Sequence, residues 1–519
     1  MLQAAVFLLA LALYGATLAP TVLWGDDAEL QRIVVTGEER VIGQSSRASH
    51  LLWLALARGF VAATPWLPLD PAGRTNLVSA LGAAVALPLV YACTVELAAP
   101  AVRRPRVAGL AAAAALGVSH TFWLLAVRPA VYTLQMALLA AATWGVLRWR
   151  RTGRSPAPML VASLAGAAAL ANHVMIAASV PGLAWLAATA PWRSRRAAYG
   201  AAGVAALGVL GLLLAARWWH LPLADLLRTV LSYRPRPPAP RDALVVPAFL
   251  LYQFPLALPL AGWGARRLWR GARGALAGVV LLYTGNAALA LGLDVRDRFI
   301  FFLPSYFPVA LLVGVGCAAA VDALASGPRF RRVGGPGIQD GMRPAARSRS
   351  RPTVAAGAAV AAVVLAPIVV YPLAAALAGP LAARLAPARH LPGRDPVAFY
   401  LAPAKAGYRG ARAYGETALA ALEPGAAVVA DWLPYQTLLY LQRVEGQRPD
   451  VALAQINAGA GQLRFLLAHA GARPLYLADN APFPYYEMPE IERCFHVAQQ
   501  GVVFRLAPRP EAAGSAACR

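Results

Sequence analysis

Long apolar runs constrain the fold of this chain more than any other feature. A helix needs about 20 residues to cross the hydrocarbon core of a bilayer, and lipid offers no hydrogen-bond partners to an open, irregular backbone. The sequence is 59% hydrophobic and only 14% charged, whereas soluble proteins carry roughly 25% charged residues. We therefore predict an all-α polytopic membrane bundle of about 11 spans. The runs cover residues 2–19, 75–97, 107–126, 131–147, 157–171, 173–190, 198–216, 243–263, 274–292, 299–321 and 353–379.

Arginine-rich connections follow every second predicted span. Because cytoplasmic loops carry an excess of basic residues, this alternation predicts a cytoplasmic N-terminus and an extracytoplasmic C-terminal domain in a bacterial inner membrane. It also explains most of the net charge of +24 without a nucleic-acid partner. All 48 basic residues are arginine except Lys405. The connections are 103–106, 148–154, 193–196, 266–273 and 329–351.

The chain divides into a transmembrane domain, residues 1–380, and a soluble domain, residues 385–519. The first apolar run has no basic residue before it and no small-residue cleavage site after it, so we interpret it as a retained span. A first external loop follows at 20–74 and contains a short apolar stretch, 51–63, that suits a helix lying at the interface. Residues 326–352 are rich in Gly, Pro, Ser and Arg and predict a flexible cytoplasmic linker.

The soluble domain alternates predicted helices and strands. Alternation of this kind is typical of a small, parallel α/β layer. Two of its residues, Cys494 and Cys518, could form a disulfide outside the cytoplasm or remain free thiols, while Cys93 and Cys317 lie in apolar runs as small hydrophobic residues. The predicted strands are 427–431, 451–456, 475–477 and 502–506, and the predicted helices are 411–422, 434–444 and 461–470.

Three carboxylates lie within four residues just after the first span: Asp26, Asp27 and Glu29. Crowded negative charges raise one another's pKa, which can serve a catalytic base or a divalent cation. The alternative is a solvated acidic loop that helps to keep this end of the span outside.

Three further polar groups lie at predicted outer membrane boundaries. Asn172 and His173 suit a cavity lining or an interhelical hydrogen bond. The segment from Arg128 to Tyr132 marks another boundary. Arg296 and Arg298, which alternate with aspartates, suit either phosphate binding or local Asp–Arg pairs, because a guanidinium binds phosphate oxygens in pairs.

Several segments together resemble one family, that of bacterial multi-pass proteins related to an animal transmembrane O-mannosyltransferase of the GT-C superfamily. The resemblance covers nearly the whole chain and depends on the order and spacing of its pieces. It implies a polyprenyl-phosphate sugar as donor, an acidic base in the first external loop, and transfer usually with inversion. The segments are WGDDAEL, RTNLVSALGAAVALPLVYACTVEL, HTFWLLAVRPAVYTLQ, LAGAAALANHVMIAASVP, DRFIFFLPSYFPVALLVGVG and LQRVEGQRPDV.

The family's Trp-x-Asp-Ser-Gly-Glu pattern falls on Trp24, Asp26 and Glu29 in this sequence. The resemblance thus implies Asp26 as the general base, with Asp27 and Glu29 as acidic neighbours. Two departures favour an inactive member: the family's His-Pro-Pro-Gly-Tyr-Pro run has no proline here, and its Ala-Glu-Val-Tyr lacks the acid. The residues predicted to bind the donor or substrate are Trp24, His50, Asn76, Tyr132, Asn172, His173, Arg296 and Arg298.

We predict a membrane glycosyltransferase that moves a sugar, with mannose as the implied one, from a polyprenyl-phosphate carrier to an extracytoplasmic protein or glycan. Its partners are the lipid bilayer, the lipid-linked sugar and this acceptor. No cofactor is assigned, although the acidic cluster leaves a divalent cation open. The alternatives are a catalytically inactive envelope scaffold and a lipid-carrier transporter or flippase. A transporter would carry ionisable residues at mid-bilayer, and the predicted spans have almost none.

Overall fold

A computed structural model describes residues 1–38, 46–153, 155–190, 237, 242–295, 297–326, 350–385, 389, 391–512 and 518. Its first part, up to Leu385, is helical. The helices are α1 Leu2–Ala16, α2 Asp26–Thr36, α3 Ser46–Ala63, α4 Pro71–Ala98, α5 Pro105–Gly117, α6 His120–Ala126, α7 Tyr132–Thr152, α8 Ala157–Asn172, α9 Val180–Ala188, α10 Asp242–Gln253, α11 Leu258–Gly271, α12 Arg273–Gly292, α13 Arg298–Phe301, α14 Leu303–Ser326, α15 Ser350–Leu365 and α16 Pro367–Leu385.

Ten of the predicted apolar runs coincide with these helices, and the remaining run, 198–216, lies outside the described residues. Four helical stretches are long and apolar enough to cross a membrane: Pro71–Ala98, Arg273–Gly292, Leu303–Ala325 and Val354–Ala378. The number rises to six if each of two bent helix pairs counts as one span. The structure thus confirms a mainly helical protein with several membrane-spanning helices, and the total of about 11 stays a prediction.

Two pairs of consecutive helices are sharply bent. α5 and α6 meet at 69°, and the apolar part of α10 meets α11 at 100°. The second bend contains Pro255, which cannot continue a helical hydrogen-bond ladder. Gln253 at this bend accepts a hydrogen bond from the Thr121 backbone N–H at 2.9 Å and donates to the Thr121 hydroxyl at 2.8 Å. Each broken helix thus helps to satisfy the polar groups of the other, as irregular backbone within a membrane requires.

Small residues allow close helix packing inside the bundle. A Cβ atom on Gly316 of α14 would lie 1.8 Å from the carbonyl oxygen of Leu260 on α11, so only glycine permits this approach. Packing of this kind replaces the hydrophobic driving force that lipid does not supply. On the outer face of α16, in contrast, Val369, Leu373 and Leu377 are each more than half exposed, as a lipid-facing surface would be.

The described arginine-rich connections gather at one end of the bundle. Glu96 at the end of α4 accepts hydrogen bonds from Arg148, at 2.9 Å, and from Arg151. Arg104 donates to Asp322 near the end of α14 at 2.8 Å. A cavity of about 400 Å³ at this end is lined by residues from α4, α7 and α12. The other two connections, 193–196 and most of 329–351, lie outside the described residues.

The C-terminal domain contains a five-stranded sheet in the order β2-β1-β3-β5-β4. β1 is parallel to β2 and β3, whereas β5 is antiparallel to both β3 and β4. Four strands lie where the sequence predicts them, and β4 was missed. The prediction of a parallel layer is wrong, because β5 runs antiparallel to β3 and to β4. A disulfide joins Cys494 to Cys518. The elements are α17 Pro396–Leu401, α18 Gly410–Ala421, β1 Ala427–Ala430, α19 Trp432–Glu445, β2 Ala452–Gln455, α20 Ala460–His469, β3 Leu475–Leu477, α21 Met488–Cys494, β4 Phe495–Gln500 and β5 Val503–Pro508.

Candidate active site

The chain between α1 and α2 is fixed by two buried amides. Asn76 of α4 donates to the carbonyl oxygen of Ala19 at 2.8 Å and accepts from the Gln31 side chain, also at 2.8 Å. The Gln31 oxygen in turn accepts from the backbone N–H of Leu23 at 3.1 Å. Asn76, predicted as a donor-binding residue, is fully buried and holds the acidic loop against the bundle.

The three predicted acidic residues form the first turn of α2, which begins after Gly25. Carboxylates are stabilised at a helix N-terminus by the unpaired N–H groups and the helix dipole. Their side chains nevertheless diverge. Asp26 is exposed, whereas Asp27 and Glu29 are only 6% and 8% exposed. The spacing in sequence therefore places three carboxylates in three different environments.

Asp27 forms a buried ion pair with Arg128. The Arg128 Nη1 atom lies 3.4 Å from Asp27 Oδ2, and both side chains are less than one tenth exposed. Burial raises the pKa of Asp27 from 3.8 to about 7; Arg128 opposes this rise, and the negative charges of Asp26 and Asp297 add to it. Another N–H group of the same guanidinium, at Nε of Arg128, is buried with no hydrogen-bond partner among the described residues.

Lys405, the only lysine of the sequence, adds a second cation to this group. Its ammonium donates to the Phe399 carbonyl oxygen at 2.7 Å and to that of Ala402. Burial, together with the nearby charge of Arg128, lowers the pKa of Lys405 to about 7, while Asp27 opposes the change. The C-terminal domain therefore contributes a titratable cation beside the first external loop.

Glu29 points into a separate buried region. Burial and then the charge of Asp26 raise the pKa of Glu29 to about 7, against the effect of Arg32. Its Oε1 atom has no hydrogen-bond partner among the described residues. Arg32 itself donates to the carbonyl oxygen of Glu38 at 2.9 Å. Glu29 is therefore a buried carboxylate whose nearby charges are those of Asp26 and Arg32.

The segment around α13 reaches the same site. Asp297, just before α13, is near enough to raise the pKa of Asp27. Arg298, predicted to bind the donor phosphate, instead pairs with Asp242 of α10 at 2.8 Å. The alternative of an Asp–Arg pair is therefore the arrangement observed, although the partner comes from another helix. Arg296 lies outside the described residues.

Three of the predicted binding residues converge with Phe301 in an aromatic cluster: His50, Tyr132, His173 and Phe301. The His173 ring centroid lies 5.1 Å from that of His50, 5.4 Å from that of Tyr132 and 6.5 Å from that of Phe301. Phe301 is one helical turn from Asp297, and Tyr132 is four residues from Arg128. The segments 128–132 and 297–301 therefore each contribute a charged residue near Asp27 and an aromatic residue of the cluster.

Two other predicted residues, Asn172 and Trp24, are buried and make structural hydrogen bonds near the site. Asn172 is fully buried and donates to the Val131 carbonyl oxygen and to the Gln135 side chain, both at 3.0 Å. Trp24 is 4% exposed and donates its indole N–H to the Tyr408 hydroxyl at 2.7 Å. Its contacts are those of an anchor between the acidic loop and the C-terminal domain.

Within the described residues, the acidic cluster lacks the ligand geometry of a divalent-cation site. Such a site needs several converging oxygen ligands, and no group of three His, Cys, Asp or Glu side chains with that geometry occurs in the part of the chain that the structure describes. Asp26 instead accepts a hydrogen bond from an indole, Asp27 pairs with a guanidinium, and Glu29 is buried near Arg32.

Comparisons with known proteins identify the fold. Residues 52–196 match the family model of the protein O-mannosyl-transferase TMEM260 N-terminal domain. No curated protein is significantly similar in sequence. The crystal structure of ArnT from Cupriavidus metallidurans bound to undecaprenyl phosphate is 13% identical, with a TM-score of 0.56 over 98% of this chain and 99% of that chain. ArnT in the apo state is also 13% identical, with a TM-score of 0.53 over 98% of each chain.

The predicted resemblance to GT-C glycosyltransferases is confirmed, and the chain has the fold of ArnT. The family match begins at residue 52 and so does not include the acidic loop. The roles of Asp26, Asp27 and Glu29 are therefore still predictions, although the position and contacts of each residue are known.

Proposed function

We propose that this chain, which has the fold of the GT-C glycosyltransferases, transfers a sugar from a polyprenyl-phosphate carrier to an acceptor hydroxyl outside the cell membrane. The observation that carries the proposal is the meeting of the acidic loop, Arg128 and the segment around Asp297 at one end of the bundle. A lipid-linked donor presents its phosphate at the membrane surface because its tail stays in the bilayer. The ArnT structure with this fold holds undecaprenyl phosphate, which supports the same class of carrier.

Asp26 is our candidate for the general base. It is the exposed carboxylate of the three, and a base must come within hydrogen-bond reach of the hydroxyl that it deprotonates. In the proposed step the acceptor oxygen bonds to the anomeric carbon while its proton passes to Asp26. The bond between the anomeric carbon and the phosphate oxygen breaks, and its electron pair leaves with polyprenyl phosphate.

Arg128 and Lys405 are our candidates for stabilising the leaving phosphate. Negative charge grows on the phosphate oxygen as the sugar departs, and fixed cations at that position lower the barrier. Arg128 has an N–H group free of described partners to offer. Arg298 is already paired with Asp242. We therefore assign the phosphate role to Arg128 and Lys405 rather than to Arg298, and the same role for Arg296, outside the described residues, stays a prediction.

The aromatic cluster is the candidate wall for the sugar. Aromatic faces pack against the apolar faces of rings, and imidazole and phenol groups supply hydrogen bonds to hydroxyls. Mannose linked to undecaprenyl phosphate is the first donor to test, because the matched family model is that of an O-mannosyl-transferase. Its acceptor would be an extracytoplasmic protein or glycan.

The test is release of undecaprenyl phosphate from undecaprenyl-phosphate mannose by the purified full-length protein, with an extracytoplasmic protein and glycan fraction as acceptor. Asp26→Asn should lower the rate by about 100-fold or more, the usual contribution of a general base, without weakening donor binding. Glu416→Gln is the matched control, since Glu416 is an exposed carboxylate of the C-terminal domain. Unchanged transfer by Asp26→Asn would remove Asp26 as the base.

The two alternatives give different outcomes in the same preparation. Donor binding without turnover in the wild-type protein would indicate a scaffold. Movement of the lipid carrier across sealed vesicles, without any glycosidic product, would indicate a transporter. Either result would contradict the proposed transfer reaction.

We also propose that the acidic loop and the C-terminal domain face the extracytoplasmic side. The two are in contact, so they share one side of the membrane, and the described arginine-rich connections lie at the opposite end of the bundle. Reporter fusions after residue 38 and at the C-terminus should both be active outside, and a fusion within 329–349 should be active inside. A result that places residues 20–38 and 329–349 on one side would overturn this orientation.

A further inference from the structure

The C-terminal domain touches the acidic loop through the first turn of α19. The indole Nε1 of Trp432 donates to Asp26 Oδ1 at 2.5 Å. The next residue, Leu433, accepts a hydrogen bond from the Gly25 backbone N–H at 3.4 Å. One turn later, the Thr437 hydroxyl donates to the Leu23 carbonyl oxygen at 3.0 Å. Three contacts therefore dock the loop onto one helix of the soluble domain.

Gly25 lies at the position of the loop where contact with α19 favours glycine. Gly25 has a φ of +54°, a conformation that side chains other than glycine rarely adopt. A Cβ atom there would lie 2.9 Å from Leu433 Cδ2 and 3.3 Å from Trp432 Cδ1. The backbone before Asp26 thus lies directly against α19, which leaves little freedom in the position of the carboxylate.

Trp432 is itself held by a buried charge network at the start of α19. Asp431 is the residue that precedes the helix, and its Oδ1 accepts from Arg389 Nη2 at 2.5 Å. The same guanidinium donates to Asp479, which follows β3. The side chains of all three are 5–7% exposed. Such pairs lose little to screening by salt, so α19 begins from a fixed point.

We propose that Trp432 is a positioning residue for Asp26. The C-terminal domain thus contributes a side chain that the site needs. The indole N–H binds one carboxylate oxygen. The other, Oδ2, accepts no hydrogen bond from any described residue and is available to the acceptor hydroxyl. Trp432 does not touch the reacting atoms; it fixes which oxygen faces them. This inference rests on the proposed function of Asp26.

Trp432→Phe tests the proposal, because it keeps a ring against Gly25 and removes only the N–H donor. We expect kcat for undecaprenyl-phosphate mannose to fall about 10-fold, the scale of a lost hydrogen bond to a charged group, with an unchanged KM for the donor. The control is Trp66→Phe, since Trp66 is a 75% exposed tryptophan in the connection before α4, and its kcat should match the wild type.

A double-mutant cycle shows whether Trp432 acts through Asp26. In the Asp26→Glu background the carboxylate is displaced from the indole, and Trp432→Phe should cause no further loss of kcat. Additive losses, an unchanged kcat in Trp432→Phe, or a loss accompanied by a raised KM and a lower melting temperature would each overturn the proposal. If Asp26→Asn stays active, the proposed base fails. If Asp26→Asn is inactive while Trp432→Phe is fully active, only this inference fails.

Discussion

The buried pair of Asp27 and Arg128 gives the most quantitative prediction. Arg128→Gln leaves Asp27 without its counter-ion in a site where it is 6% exposed. Breaking a buried ion pair from one side costs about 3–5 kcal/mol. With an unfolding entropy of roughly 2 cal/mol/K per residue over 519 residues, this corresponds to a fall of about 3–5 °C in melting temperature.

The cost should depend on pH in a defined direction. The pKa of Asp27 is raised from 3.8 to about 7, so in the wild-type protein this group favours folding below pH 4, and that stability is lost as pH rises towards 7. Arg128 lowers this pKa, so its removal raises the pKa further and extends the loss above pH 7. The difference between variant and wild type should therefore grow above pH 7 by about 1.4 kcal/mol per pH unit.

Thermal unfolding of the purified full-length protein at pH 6 and pH 9 is the assay. Asp27→Asn should remove most of this pH dependence, and the Asp27→Asn/Arg128→Gln double variant should be more stable at pH 9 than Arg128→Gln alone, because no carboxylate is left unpaired. An equal effect of Arg128→Gln at both pH values, or a double variant no more stable than the single one, would refute the reasoning.

Three further predictions concern Gly25, Asn76 and Cys494. Gly25→Ala should reduce sugar transfer while donor affinity is kept, because its backbone conformation and its contact with α19 both exclude a Cβ atom; kcat and KM measured together decide this. Asn76→Leu should lower the melting temperature by an amount that corresponds to about 1–3 kcal/mol, since it leaves the Ala19 carbonyl oxygen unpaired and removes the shorter hydrogen bond of the buried Gln31 amide. Cys494→Ser should release Cys518 as a thiol that alkylates in the native protein and should destabilise the C-terminal domain by about 3 kcal/mol, as followed by limited proteolysis.

Sequence patterns predicted the parts of the site that depend on local position. The acidic turn after the first span and the polar residues at span ends are set by where each helix leaves the membrane. Tyr132 and His173 converge because the predicted spans at whose ends they lie end on the same side, and His50 joins them from the first external loop. This is why boundary residues in several segments could be recognised together.

Contacts between segments that are far apart in the chain could not be predicted from the sequence. The partner of Arg298 is Asp242 rather than its own neighbours, which depends on how α10 packs. Trp432 lies 406 positions from Asp26, and no local pattern marks it. Lys405 is distinctive in the sequence because it is the only lysine among 48 basic residues. Its burial, which only the structure shows, is what places it at the candidate site. β4 was missed because half of the residues in its sequence, FHVAQQ, are polar.

Arg389 has a consequence for how the soluble domain can be used. In open α/β sheets, ligands usually bind in the crevice beyond the carboxyl ends of neighbouring parallel strands. Here that crevice, between the ends of β1 and β3, already holds a guanidinium from the segment that leaves the membrane. A small molecule could enter only by displacing a charge from two buried carboxylates. The sheet therefore binds the segment between α16 and α17 in this crevice, and the proposed acceptor site at Asp26 lies next to the crevice, at the start of α19, rather than inside it.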